Sequence, residues 1–181
     1  ARSFYKETDD MNRKRNHIIV FLAGFLCLTW FDQWTKHLAA GALVGNGPIV
    51  VWDGVFEFLY SENRGAAFGI LQGRQGFFFA VAIAVFGFVA YAMAKLPAKK
   101  RYVPMEVCLV MVMAGAAGNL IDRVFHGYVV DFLYFKLIDF PIFNVADCYV
   151  TVGTALLLVL FLWYYSDEEF DMLLRRRGEE A

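Results

Sequence analysis

Four stretches of this 181-residue chain are long and apolar enough to cross a bilayer, which excludes an ordinary soluble domain. They are His17 to about Ala40, Gln75 to Ala94, about Tyr102 to Ile121, and Cys148 to Tyr165. Each approaches the roughly 20 residues that a rise of about 1.5 Å per residue needs to span the hydrocarbon core. Composition agrees, since 59% of residues are hydrophobic and 18% aromatic, against roughly 45–50% apolar in soluble domains. The third stretch opens with Pro104 at an early helical position and Glu106 in its first turn, both suited to a helix start. The first, with Arg13, Lys14 and Arg15 ahead of a short apolar core, also has the layout of a secretory signal peptide. Asp32, Gln33 and Lys36 stand where a small-residue cleavage region would lie, so a retained helix is expected.

With 17 basic and 18 acidic residues nearly cancelling, net charge points to neither a nucleic-acid binder nor an acidic-ligand binder. The placement of the charges is more informative. Basic residues precede the first span, join the second to the third (Lys95, Lys99, Lys100, Arg101) and follow the fourth (Arg175 to Arg177). Lys and Arg gather on the cytoplasmic side, so both termini are expected there and residues 41–74 and 123–147 face outward. In the first outward connection, Trp52, Phe56, Phe58 and Tyr60 follow the alternation of a half-buried strand bounded by glycines, which predicts a small sheet or cradle on the membrane face over about residues 44–70. The second, "YVVDFLYFKLIDFPIF", is expected to lie along the interface before turning back at Asn144.

Few side chains are available for chemistry. Three serines and three histidines, without HExxH spacing or a paired Cys or His, leave a serine-lysine hydrolase hard to build and a metal centre or cofactor unexpected. Cys27, Cys108 and Cys148 fall within spans and are odd in number, so they read as packing residues. Carboxylates remain. Asp32 and Lys36, four apart with the acid first, read as a structural ion pair bracing the first span. Asp122 and Arg123 read as scaffold at the end of the third span, after the small residues and Asn119 of "GAAGN". Asp131 and Asp147 have no basic residue within four positions. Two such carboxylates brought together at an apolar boundary would share a proton and act as an aspartic peptidase does. Spacing alone leaves Asp139 as a competitor for either place. The same carboxylates could also serve a small proton-coupled carrier as a relay, or belong to a membrane scaffold.

Five blocks in order carry a resemblance: "DQWTK" at 32–36, "ENRGAAFG" at 62–69, "GAAGNLIDR" at 115–123, "GYVVDF" at 127–132 and "FNVAD" at 143–147. Across residues 17–165 the chain resembles the prolipoprotein (lipoprotein) signal peptidase family, signal peptidase II. The resemblance implies a four-helix membrane peptidase domain over 17–165 with a β-rich periplasmic cradle, between cytoplasmic tails at 1–16 and 166–181. It implies Asp131 and Asp147 as the catalytic pair in place of Asp139. Asn63, Gly65, Asn119, Arg123 and Asn144 become residues that shape the site or hold substrate, with Asp32, Lys36 and Asp122 in support. The implied substrates are diacylglyceryl-modified prolipoproteins in contact with membrane lipid, cut at the outer face of a bacterial inner membrane; a monomer without cofactor or metal is the expectation. Cys148 and Tyr149 depart from the family, which more often has small residues after the second acid.

Overall fold

The computed structural model describes residues 2–65, 71, 73–166 and 168–169, with side chains from Met11 onward. Ala66–Gly69 of the second sequence block, and most of the C-terminal tail, lie outside the described residues. The described chain runs α1 (Arg2–Leu43), β1 (Ile49–Trp52), β2 (Phe56–Asn63), α2 (Gln75–Lys95), α3 (Val103–Phe125), β3 (Val129–Tyr134) and α4 (Val145–Val159). A π-helical turn, Leu160–Tyr164, continues α4.

Four helices of this set have the length and hydropathy of membrane spans, and their apolar side chains point outward. Leu26, Trp30, Ile83, Phe88, Leu158 and Trp163 are all largely exposed. In water such a surface would be costly; in lipid it is the expected one, and the chain is an α-helical integral membrane protein. Helix α3 is the centre. In its span 44% of the most apolar window is buried, against 11–17% in the other three, because α1, α2 and α4 all pack on it.

Small residues make that packing possible. A Cβ on Gly115 would run into the carbonyl oxygen of Ala146 and lie 2.7 Å from Val150 Cγ2, and one on Gly118 would meet the Asp32 carboxylate. Helices α3 and α1 thus approach closely enough at Gly118 for a polar side chain of one to touch the backbone of the other. Away from the sheet, Phe21, Val89, Met105, Leu109 and Tyr165 form the larger apolar cluster. A smaller one, Ala39, Leu43 and Phe132, joins the end of α1 to the sheet.

The sheet has order β1-β2-β3, antiparallel throughout. It corrects two expectations. Trp52 does not share a strand with Phe56, Phe58 and Tyr60; it lies opposite Phe56 across a hairpin, because Asp53 and Gly54, the latter at φ +71, supply the turn chemistry that reverses the chain. The segment expected along the interface instead contributes β3, pairing Ser61 with Asp131 and Asn63 with Val129. A register shift between Phe58 and Ser61 sets that alignment. Alternation then places Asp131 on the face opposite Val130 and Phe132 and on the same face as Asn63.

The spans also begin and end differently from the expected ones. Helix α1 starts at Arg2 and ends at Leu43, and α4 begins at Val145, so Asp147 lies inside its first turn. Asn144 is the reason: its side chain accepts the N–H of Asp147 while the Asp147 carboxylate accepts the N–H of Asn144, a reciprocal capping box.

Gly115→Ala is expected to lower the melting temperature of the detergent-solubilised protein, at a cost of about 1–3 kcal/mol from overpacking against backbone. A thermal melt beside Gly41→Ala, where a Cβ meets nothing within 4 Å, checks it.

Candidate active site

Beneath the sheet, three charged side chains are enclosed. Asp32, Lys36 and Asp122 are 0%, 3% and 1% exposed. The Lys36 ammonium has three donors and three acceptors to meet them: Asp32 Oδ2 at 2.9 Å, Asp122 Oδ2 at 3.0 Å and Asn119 Oδ1 at 3.0 Å. The pair expected from spacing is therefore part of a triad, and Asp122 has Lys36 as its partner where Arg123 was expected. Gln33 ties the two carboxylates a second time, its Nε2 lying 3.1 Å from Asp32 Oδ2 and 3.0 Å from Asp122 Oδ1. It also reaches the carbonyl of Gly118.

Each of these carboxylates holds a backbone N–H. Asp32 Oδ1 accepts that of Ala146 at 2.8 Å, and Asp122 Oδ2 accepts that of Val130 at 3.0 Å. Ala146 precedes Asp147 and Val130 precedes Asp131, so the triad fixes the main chain directly before both candidate carboxylates.

Amides carry the arrangement outward. Asn119 Nδ2 donates to Asp147 Oδ1 at 2.7 Å. Asn144 Nδ2 donates to Asp131 Oδ1 at 2.6 Å and to Asn119 Oδ1 at 3.1 Å. Asn63 Nδ2 donates to Asp131 Oδ2 at 2.9 Å, and Asn63 Oδ1 accepts the N–H of Gly65. The fourth oxygen, Asp147 Oδ2, accepts the N–H of Asn144 at 3.1 Å. Every oxygen of both aspartates thus has one protein donor, with further lone pairs left over.

Both aspartates line one cavity of about 610 Å³, together with Asn63, Gly65, Asn119 and Arg123. Its polar end lies at the sheet. Along α3 it runs from Arg123 to Val112, between Phe78, Val81 and Val85 of α2 and Cys148 and Thr151 of α4. Arg123 lies at the polar end, its guanidinium 4.1 Å from the centre of the Phe78 ring and donating to the carbonyls of Gly65 and Asn119. Asp131 is 2% exposed. Burial, and after it the neighbouring charge of Asp147, push its carboxyl up to about 7, against the donors on its oxygens and the charge of Lys36.

The remaining sequence candidates fall elsewhere. Asp139 is exposed and accepts the Tyr134 hydroxyl at 2.7 Å. Cys148 lines the cavity, while Cys27 is exposed and Cys108 buried. No group of three or more His, Cys, Asp or Glu among the described residues is placed to hold a metal ion. Sequence reasoning missed Gln33, for which its position beside Asp32 in "DQWTK" was the available signal, and Phe78, for which the uniform "GFFFAV" offered none.

The fold and the site together define a helical membrane protein with two carboxylates facing a cavity that extends into the span region. Residues 24–163 match the family described as signal peptidase (SPase) II, and the chain belongs to that family. It is 44% identical over 138 residues to a lipoprotein signal peptidase of Streptococcus thermophilus, covering 76% of this chain and 88% of that protein. A lipoprotein signal peptidase of Caldanaerobacter subterraneus is 44% identical over 137 residues, covering 75% and 91%. A solved structure described as a bacterial membrane enzyme obtained by the in meso method superposes with a TM-score of 0.71 at 31% identity, covering 91% of this chain and 96% of that one.

Asp32→Ala is expected to destabilise the protein by about 3–5 kcal/mol, because it leaves the buried Lys36 charge with half its compensation. Asp139→Asn, which keeps an acceptor for the Tyr134 hydroxyl and tolerates the left-handed φ of +47 at this exposed position, is expected to stay within about 0.5 kcal/mol of the wild type. Melting curves of the two variants side by side test whether buried and exposed carboxylates separate in this way.

Proposed function

We propose that this protein is an aspartic endopeptidase of the bacterial inner membrane that cuts the signal peptide from prolipoproteins just before the diacylglyceryl-modified cysteine, with Asp131 and Asp147 as its catalytic pair. The observation that carries the reading is that both carboxylates face one cavity while amide and backbone donors hold every oxygen. Such a pair can keep one proton between them. With the Asp131 carboxyl raised to about 7, one proton stays on the pair up to about neutral pH.

The chemistry follows from that proton. The ionised member takes a proton from a water molecule as its oxygen attacks the scissile carbonyl carbon, and the protonated member donates a hydrogen bond to the carbonyl oxygen. The C–N bond of the resulting tetrahedral intermediate breaks as the leaving amine receives a proton, and the pair returns to one proton. The titration belongs to both groups, so neither is assigned permanently as the base. Arg123, held against Phe78, and Asn63 are suited to fixing the extended peptide at the polar end.

Substrate geometry supports the same reading. A prolipoprotein carries its signal peptide as an apolar helix in the bilayer, with the lipid-modified cysteine at the surface. The cavity combines a polar end at the sheet with an apolar extension between α2 and α4, which suits a substrate entering sideways from lipid. Basic residues in the N-terminal part of α1, ahead of its apolar stretch, and between α2 and α3 support a cytoplasmic position for that end and for both termini, with the carboxylates near the periplasmic surface.

Asp131→Asn and Asp147→Asn, each shown to melt as a folded protein, are expected to lose cleavage of a diacylglyceryl-modified precursor by about 10²–10⁴-fold. A near wild-type rate in either removes it from the pair. An unlipidated precursor is expected to be cut poorly, and equal turnover with and without lipid would contradict lipid-dependent entry. Raising pH through about 7 removes the proton from the Asp131–Asp147 pair, so kcat/KM is expected to fall on that alkaline limb.

A further inference from the structure

The directions of the site amides follow from two groups that can only donate. The N–H of Asp147 donates at 3.0 Å to the Asn144 side chain, which must present its oxygen there, so its Nδ2 faces Asp131 and Asn119. The Lys36 ammonium, which has no acceptor, meets Asn119 at 3.0 Å. Asn119 must therefore present Oδ1 to Lys36, and its Nδ2 is turned to Asp147. Reversal of this amide would set an NH₂ against an ammonium and against the Asn144 NH₂. It would also offer Asp147 an acceptor in place of a donor.

The direction matters for where an acidic proton can reside. With a donor on each of the four carboxylate oxygens, a proton on the pair has no acceptor on the protein side and is left on lone pairs that face the cavity. An inward-facing Asn119 oxygen would let Asp147 bury its proton in a hydrogen bond that substrate cannot reach.

We propose that Lys36 is a positioning residue for the cleavage reaction, acting through Asn119: by fixing the direction of that amide it keeps the proton of the Asp131–Asp147 pair on the cavity side. The inference rests on the catalytic reading of that pair given above. It assigns to Lys36 an effect on the reaction besides its place in the buried ion triad. The charged and titratable groups around Lys36 and the pair are Asp32 on α1, Tyr60 on β2, Asp122 and Arg123 on α3, Asp131 on β3, and Asp147, Cys148 and Tyr149 on α4. Arg123 is a further cation, whose charge bears on both aspartates, and it is kept in every variant below.

The test uses the full-length protein in detergent with a lipidated precursor, and compares Lys36→Met, Asn119→Ala and the double variant, each with a thermal melt. The expected result for folded Lys36→Met is a fall in kcat of about 10-fold or more, with KM little changed. Its alkaline limb moves up by about one pH unit, because loss of a nearby positive charge disfavours the ionised pair. Asn119→Ala is expected to lower kcat by a comparable factor, and adding Lys36→Met to it is expected to change kcat little further, since both act through one link. If Lys36→Met fails to fold, Lys36→Met/Asp122→Asn, which removes one of the two compensating carboxylates, takes its place with kcat and its non-additivity with Asn119→Ala as the readouts, because its two charge changes offset one another at the limb. Normal kcat and an unmoved limb in the folded variants, or full additivity with Asn119→Ala, would overturn the inference. Loss of melting temperature alone would leave Lys36 purely structural. The catalytic pair is judged separately by Asp131→Asn and Asp147→Asn, so either reading can fail without the other.

Discussion

One ammonium group shared between two carboxylates holds this structure in its working form. Lys36 joins Asp32 to Asp122, and each of those acids grips the backbone N–H directly before one of the proposed catalytic aspartates. The start of α4 and the middle of β3 are thereby referred to a single point on α1. A buried ion triad is a costly way to gain stability, and well-packed apolar residues often serve better. Here it supplies geometry that apolar packing cannot, because a carboxylate accepting a main-chain N–H fixes direction as well as distance. Close approach at Gly118 admits the Asp32 carboxylate to its place, which links the small residues of α3 to the same purpose.

The site above the triad is built almost wholly from amides. Asn63, Asn119 and Asn144 present donors to the two aspartates, so each carboxylate oxygen of the pair has one protein donor at an apolar boundary. The cavity beside it is polar at one end and apolar along its length. Its walls on α2 and α4 belong to the span region, which supports the proposed entry of a membrane-borne substrate from lipid.

The sequence made some of this legible and hid the rest for identifiable reasons. The four spans could be read because lipid demands about 20 apolar residues in a row and tolerates little variation. The Asp32–Lys36 pair was visible because a helix brings positions four apart together. The bonds from Lys36 to Asn119 and Asp122 cross from α1 to α3, and no local period reports such a contact. Strand β3 was read as an interfacial segment because "VVDFLY" is nearly all apolar, and burial on both faces of Val129–Phe132 erased the alternation that marks a half-buried strand. Asp131 and Asp147 could be singled out by their lack of local counter-charge, yet their common cavity depended on the register shift in β2 and the capping box of α4. Only the resemblance separated Asp131 from Asp139, which the fold leaves exposed beside Tyr134.

The central claim is that the two aspartates activate water directly. The cavity also holds Cys148, next to Asp147, so a thiol nucleophile is the alternative within reach. Cleavage of a lipidated precursor in ¹⁸O-labelled water containing hydroxylamine separates the two. Direct attack predicts one ¹⁸O in the new carboxylate of the released signal peptide and no hydroxamate at any hydroxylamine concentration. Hydroxamate formed at the cleavage site, and lost in Cys148→Ala, would reveal an acyl-enzyme and contradict the account.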